Sequence, residues 1–231
     1  MGSEPPTSSS RDVLARLRRE YGDAGLHEDD AGDEPYPLLD RWLADALAAH
    51  EAGALTEPNA MALGTVGADG APAVRVVLLK GIVDGGLVFY TNHDSRKGRE
   101  LAVEPRCALT LLWHDLQRQV RVEGRAERVA EDVSDTYFAS RPRGSQLGAW
   151  ASPQSAVVAG RGELEQAYAE LADRLADADV VPRPPHWGGW RVVPRAVEFW
   201  HGRPGRMHDR IRFTRTGSAA DGGWRRERLA P

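Results

Sequence analysis

Asn59-Ala-Met-Ala-Leu-Gly-Thr65, the turn Ala68-Asp-Gly70 and the run Ala73-Val-Arg-Val-Val-Leu-Leu-Lys80 are the stretch that decides the fold. Met61, Leu63 and Thr65 alternate with small residues, which is the period of a strand with one buried face. Asp69-Gly70 supplies a tight turn, and residues 73–80 run out as a second strand, so the segment predicts a β-hairpin. Working outward, Asp84-Gly-Gly86 makes another turn and residues 87–92 a third strand. Residues 106–113, 117–129, 189–200, 210–214 and 224–229 give five more, several of them separated by glycine-rich turns. Helical periodicity covers residues 11–21, 37–51 (with Leu39, Trp42, Leu43, Ala46 and Leu47 on one side), 132–140 and 163–176. Ser95 caps a further helix over 95–101 that stops near Pro105. An acidic loop is expected at 27–34 and an irregular polar segment between 140 and 163. Six or more antiparallel strands ringed by helices predict an α+β fold built on a closed or nearly closed antiparallel β-barrel.

The chain has 231 residues, 41% hydrophobic and 28% charged, which suits one substantial core. A single domain is expected over residues 11–231, behind a disordered Ser- and Pro-rich tail at 1–10. That tail lacks the apolar stretch of a signal peptide, and no apolar run approaches the ~20 residues of a membrane span. Cys107, the one cysteine, sits in an apolar strand context and fits a buried thiol in a reducing compartment, so a cytoplasmic location is expected. A formal net charge of −4 gives no general attraction to nucleic acid. No Gly-x-Gly-x-x-Gly follows a strand, which argues against a Rossmann dinucleotide site, and the cysteine and seven histidines never assume metal-ligand spacing.

Only two of the 30 Lys+Arg residues are lysines, Lys80 and Lys97, and they lie in neighbouring segments. In so arginine-rich a chain, a retained ammonium points to a position that needs that compact charge. Ser95-Arg96-Lys97 puts two cations in the first turn of a helix, where the dipole disfavours them unless an anion compensates; a solvent-facing basic start is the bland alternative. On residues 75–80 the alternation gives each face of the strand one cation among apolar residues. Gln117, Gln119 and Arg121 form a polar strand face that could hydrogen-bond the edge of a heteroaromatic ring, or could simply meet water. Tyr137, Arg141 and Ser145 offer three donors to a phosphate. Glu198-Phe-Trp200 and Arg206-Met-His208-Asp-Arg210 bring an aromatic, cations and a histidine together, and eight arginines crowd residues 203–228.

Together these motifs resemble the pyridoxine/pyridoxamine 5'-phosphate oxidase family, in order from about Arg18 to Pro231. The resemblance is carried by Arg75-Val-Val-Leu-Leu-Lys80, Phe89-Tyr-Thr-Asn92, Ser95-Arg-Lys97, Arg118-Gln-Val120, the run from Tyr137 to Trp150, Gln154-Ser155, Trp187-Gly-Gly189, Glu198-Phe-Trp200, Arg206-x-His-Asp-Arg210 and Arg228-Leu-Ala-Pro231. It implies a split-barrel homodimer with FMN at its interface. By carry-over, FMN is held by Arg75, Val76, Val77, Leu78, Leu79 and Lys80, by Tyr90, Thr91, Arg96, Lys97 and Gln119, and by Gln154, Ser155, Trp200 and Arg210. Lys80, Tyr137, Arg141 and Ser145 meet the substrate phosphate, and Arg206 and His208 cover the reacting face as the catalytic pair. Arg18, Arg19, Glu20 and Tyr21 match a segment able to close over the substrate.

The activity implied is oxidation of pyridoxine or pyridoxamine 5'-phosphate to pyridoxal 5'-phosphate, with hydride passing to the flavin and molecular oxygen reoxidising it to give hydrogen peroxide. No metal, nucleic acid or membrane enters this reading. Two alternatives stand beside it: an oxidase of the same fold acting on another substrate, as in phenazine biosynthesis, and a non-catalytic protein that binds flavin or vitamin B6 phosphate.

Overall fold

The computed structural model describes residues 20–22, 24–217 and 222–231. The tail at 1–10, Arg18, Arg19 and most of the helix expected over 11–21 lie outside these; Glu20 and Tyr21, the end of that expected helix, are not helical. The first element is a short helix, α1 (Glu28–Ala31), inside the expected acidic loop. Glu28, Asp29 and Asp30 fill its first turn, where acids suit the helix dipole, and Arg228 grips Glu28 through two hydrogen bonds. Next comes α2 (Pro35–Glu51), which buries Leu38, Leu39, Trp42 and Ala46 along one side.

The hairpin is present as β1 (Ala60–Val66) and β2 (Pro72–Leu78), antiparallel with Leu63 opposite Arg75. Then follow β3 (Gly81–Val83), β4 (Gly86–Asn92), α3 (Arg96–Val103), β5 (Arg106–Trp113) and β6 (Arg118–Arg128). Ser95 caps α3 as expected, accepting the Gly98 N–H at 3.3 Å. Two helices, α4 (Glu131–Ala139) and α5 (Arg143–Ala151), precede α6 (Arg161–Arg174) and the strands β7 (Trp187–His201), β8 (Asp209–Arg215) and β9 (Trp224–Arg228). The irregular segment expected after residue 140 is therefore partly helical. Pro142 precedes the first turn of α5, Leu147 is buried against Phe138 and Leu171, and Arg143 bonds the carbonyls of Leu175 and Ala178 just past α6. The short strand β3 also lay outside the expectation.

The nine strands among the described residues join one antiparallel sheet, ordered β2-β1-β5-β6-β7-β4-β3, with β8 pairing with β7 and β9 with β8. Only Leu79 and Lys80 separate β2 from β3, yet these strands stand at opposite ends of that order. The sheet must therefore curl until its ends nearly meet. Leu79 donates its N–H to Asn59 across one side of the seam and Lys80 donates to Val88 across the other, both at 2.8 Å. This is a split barrel. Its interior holds Met61, Leu63, Phe89, Leu109, Leu111, Val120, Val122, Phe199, Ile211 and Phe213, all nearly inaccessible to solvent. A second, smaller core forms where α4, α5 and α6 pack on Trp187. At Glu123/Gly124 the register between β6 and β7 shifts, and a Cβ on Gly124 would sit 2.2 Å from the Val193 carbonyl. That bulge bends β7 near Pro194, between the half that pairs β4 and the half that pairs β8.

Candidate active site

The barrel seam opens into a cavity of about 620 Å³. Its walls come from β2 and the seam (Val76, Val77, Leu78, Lys80), from β4 (Tyr90, Thr91, Asn92), from α3 (Lys97) and from α4, α5 and the turn that follows (Tyr137, Arg141, Ser145, Gln154). Trp187, at the start of β7, closes one side. Eleven of the residues singled out from sequence thus share one space, although they are spread over nearly 80 positions.

Three aromatic rings form one wall. Tyr90 stacks on Tyr137 with centroids 3.9 Å apart, and Trp187 lies parallel to both, 5.4 Å from Tyr90. Gly189 makes room for this stack, because a Cβ there would come within 2.9 Å of Tyr90 and Val129. Burial raises the Tyr90 phenol above its ordinary value, so it remains a neutral donor.

Two polar groups face the cavity. In one, Lys97 Nζ donates to Gln154 Oε1 at 2.9 Å, and Thr91 Oγ1 donates to the same oxygen at 3.0 Å. Burial, and then the neighbouring Arg75 charge, pull the Lys97 ammonium down to about 8. A cation so disfavoured gains from any anion that arrives beside it. In the other group, Arg141 lies over the faces of Trp187 and Phe138, and its Nη1 is buried with no hydrogen-bond partner. The Lys80 ammonium makes no ion pair among the described residues.

Arg75 and Arg96 stand behind this wall rather than in it, both bonded to Glu100. Leu79 is in the core. Ser155, beside Gln154, holds a left-handed backbone with φ of 74°.

The remaining expected residues assemble elsewhere. Gln119 faces Trp200 across the β6–β7 ladder. Trp200 packs against His208 at 4.8 Å, and Tyr21 meets both rings edge-on. His208 Nδ1 accepts the Arg203 N–H at 3.0 Å, so the neutral ring carries its proton on Nε2, where it is a donor. Arg206 sits at φ 62° directly after Gly205 at φ 63°, a turn that needs two successive left-handed residues. Arg210 pairs with Glu198 through Nε and Nη2, each at 2.9 Å, and donates Nη1 to the Ala230 carbonyl.

Tyr90 and Thr91 pair with β7 at Gly189 and Gly188, whereas Trp200 is eleven and twelve residues further along that strand. At ~3.3 Å per residue the two clusters are separated by roughly 40 Å of strand, less the bend. Within one chain they do not converge.

Three residues at the site escaped the sequence reading. Glu100 was signalled only by its i,i+4 spacing from Arg96, and Asn92 and Trp187 only by their places in quoted motifs. Cys107 stays outside the site, and burial pushes its thiol up to about 12, so no thiolate forms near neutral pH. Among the described residues no cluster of three or more His, Cys, Asp or Glu is placed to hold a metal ion, and no helix is long and apolar enough to cross a membrane.

Fold and site define a split-barrel protein with an aromatic- and cation-lined cavity at the seam. Residues 47–174 match the family model described as pyridoxamine 5'-phosphate oxidase, and residues 187–231 match the pyridoxine 5'-phosphate oxidase C-terminal dimerisation region. The chain belongs to the pyridoxamine 5'-phosphate oxidase family, a family of oxidoreductases. It is 53% identical to the pyridoxine/pyridoxamine 5'-phosphate oxidase of Burkholderia cenocepacia (strain HI2424) over 95% of this chain and 99% of that one. Against the protein of the same name from Rubrobacter xylanophilus the identity is 54%, covering 98% of this chain and all of the relative. Among solved structures, PhzG from Burkholderia lata 383, in complex with tetrahydrophenazine-1-carboxylic acid, superposes with a TM-score of 0.81 at 34% identity, covering 90% of this chain and 99% of that one.

Proposed function

We propose that this chain is an FMN-dependent oxidase that converts pyridoxine 5'-phosphate or pyridoxamine 5'-phosphate to pyridoxal 5'-phosphate, working in the cytoplasm as a homodimer. One observation carries the reading: a single cavity is lined by more cations and hydroxyls than one phosphate needs, which supports two sets of phosphate-binding groups. Thr91, Lys97 and Gln154 form one set, backed by Arg75 and Arg96; Lys80, Tyr137, Arg141 and Ser145 form the other. A phosphorylated cofactor lying beside a phosphorylated substrate calls for two such sets. The lowered Lys97 and the orphaned Nη1 of Arg141 both fit anionic ligands, and the cavity's volume is within the range of ligand sites, about 300–1,000 Å³. The relatives at 53–54% identity carry the same activity in their names.

Homodimerisation is supported by two further features. Val74, Val76 and Leu112 share the outer sheet face and are 74%, 66% and 58% exposed, an apolar surface suited to a second copy. Val76 and Leu78 belong both to that face and to the cavity wall, so a partner docked there could bring its own Gln119, Trp200 and Arg210 to the cavity mouth. This accounts for two clusters that cannot meet in one chain.

The chemistry supplied by bound FMN is acceptance of a hydride from the substrate's C4' carbon, followed by reoxidation by O2 with release of H2O2. The protein's part is positioning. Lys80, Tyr137, Arg141 and Ser145 hold the substrate phosphate, while the parallel rings of Tyr90, Tyr137 and Trp187 shape the cavity wall. Arg206 and His208 cover the reacting face, His208 offering its Nε2 proton. Glu20 and Tyr21 close over the substrate.

Anaerobic addition of pyridoxine 5'-phosphate to the yellow protein should bleach the flavin absorbance, and air should restore it with peroxide release. A yellow protein that no B6 phosphate bleaches would discard the proposed substrate and favour a phenazine-type oxidase, the alternative raised by the likeness to PhzG. Intact Lys80, Tyr137, Arg141 and Ser145 support the phosphorylated substrate.

A further inference from the structure

Glu100 is a buried carboxylate that does not line the cavity. It lies on α3 one turn beyond Arg96, and its side chain is 8% exposed. Both oxygens are engaged. Oε2 accepts from Thr65 Oγ1 at 2.5 Å and from Arg75 Nη2 at 2.8 Å, and Oε1 accepts from Arg96 Nε at 2.8 Å. Burial works against ionising it, but the hydrogen bonds from Thr65, Arg96 and Arg75 prevail and hold it below the usual carboxylate range.

This arrangement does more than satisfy a core charge. Arg96 is gripped by Nε alone, so among the described residues both its Nη groups remain unbonded, the fork that suits a phosphate. Arg75 is fixed on both sides, through Nη2 by Glu100 and through Nη1 by Thr65 and the Leu63 carbonyl. Lys97, next to Arg96 in the chain, senses the Arg75 charge and lines the cavity. Three cations and one carboxylate leave two net positive charges, the complement of a phosphate monoester near −2 at neutral pH.

We propose that Glu100 is the positioning residue of this corner, tethering Arg75 and Arg96 so that the cavity selects a phosphorylated flavin over the same flavin without its phosphate. The proposal rests on the FMN reading above. Glu100 touches no ligand itself and acts through the two guanidiniums.

The test is titration of the full-length apoprotein with FMN and with riboflavin, followed by flavin fluorescence. Wild-type protein should prefer FMN strongly. In Glu100→Gln, and in Glu100→Asp, which keeps the charge but withdraws it from one arginine, FMN affinity should fall roughly 10- to 100-fold, the range for losing hydrogen bonds to a charged group. Riboflavin affinity should stay within about twofold. Adding Glu100→Gln to an Arg75→Gln/Arg96→Gln background should change FMN affinity by less than about twofold, because the groups it positions are gone; if the single Gln variant folds poorly, Glu100→Asp, which keeps the charge, carries the test. Equal loss of both flavins, unchanged or tighter FMN binding, or a further large loss in the arginine-free background would overturn the proposal. A wild-type protein that binds neither flavin would overturn the FMN reading itself, an outcome distinct from a selective protein in which Glu100 is silent.

Discussion

Arg141 lies with its guanidinium 4.8 Å from the centre of the Trp187 ring, and its Nη1 is buried with no hydrogen-bond partner. Burial lowers this guanidinium below its ordinary value, yet arginine stays charged, so the site holds a cation in readiness for an anion. Stacking fixes the plane of the fork and leaves its edge for a ligand. Arg141→Met keeps the apolar stem and removes the fork. It should raise KM for pyridoxine 5'-phosphate roughly 10- to 100-fold, the range for a lost charge-assisted hydrogen bond, with a smaller change in kcat. FMN affinity should hold. A variant with unchanged KM would remove Arg141 from the substrate phosphate.

Lys97 makes a pH prediction. Its ammonium titrates at about 8 because of burial and then the charge of Arg75. A bound phosphate favours the charged form and so raises that value in the complex. A group raised on binding contributes its affinity fully below its value in the free protein, and the contribution is lost as pH climbs through the higher value in the complex. FMN affinity should therefore be flat between about pH 7, above the second pKa of the phosphate near 6, and about pH 8, and decline toward pH 10, with proton uptake on binding above pH 8. Riboflavin affinity, measured over the same pH series, should lack this decline, and Lys97→Met should abolish it for FMN. A decline that persists in Lys97→Met would assign it to another group.

The hairpin of residues 59–80 and the strands after it were legible because half-buried strands alternate, and Ser95 announced its helix because a cap must accept an exposed N–H. What stayed hidden follows from range. The curl of the sheet comes from β2 and β3 standing at its opposite ends although Leu79 and Lys80 alone separate them, a pairing between distant residues that no local period reports. Helix α5 went unseen because Leu147 is buried against side chains from two other helices, so its short sequence carries little amphipathic pattern of its own. In the site, individual cations and hydroxyls could be named from motifs, but nothing local revealed that Arg75 and Arg96 share one buried acid, or that Trp200 stands at the far end of β7 from the glycines that pair with Tyr90 and Thr91.

Gly202 seats Tyr21. A Cβ at this position would lie 2.6 Å from Tyr21 Cδ1 and 2.9 Å from Cγ, so Gly202→Ala must push the ring off Trp200 and His208. The main chain there needs no left-handed freedom, which leaves the steric effect alone. Substrate KM should rise several-fold, on the order of the 0.5–1.5 kcal/mol of a lost aromatic contact, while FMN binding is retained. Steady-state kinetics beside a flavin titration would separate the two, and equal losses in both would mean that Tyr21 does not act on substrate.

Val74 and Leu112 test the dimer. Both sit on the outer sheet face and neither lines the cavity of its own chain, but Leu112 pairs with Gln119, so a loss of FMN affinity is assigned to the dimer only where Val74→Asp alone reproduces it. Across an apolar interface each Val74→Asp or Leu112→Asp charge would be buried unpaired, at several kcal/mol apiece, which raises the dimer dissociation constant at least roughly 10³-fold. The double variant should thus elute as a folded monomer by size-exclusion chromatography with light scattering. If the partner's Gln119, Trp200 and Arg210 complete the cavity, that monomer should also lose most of its FMN affinity. A monomer that binds FMN as tightly as the dimer would confine the flavin site to one chain, and a variant that remains dimeric would move the interface to another face.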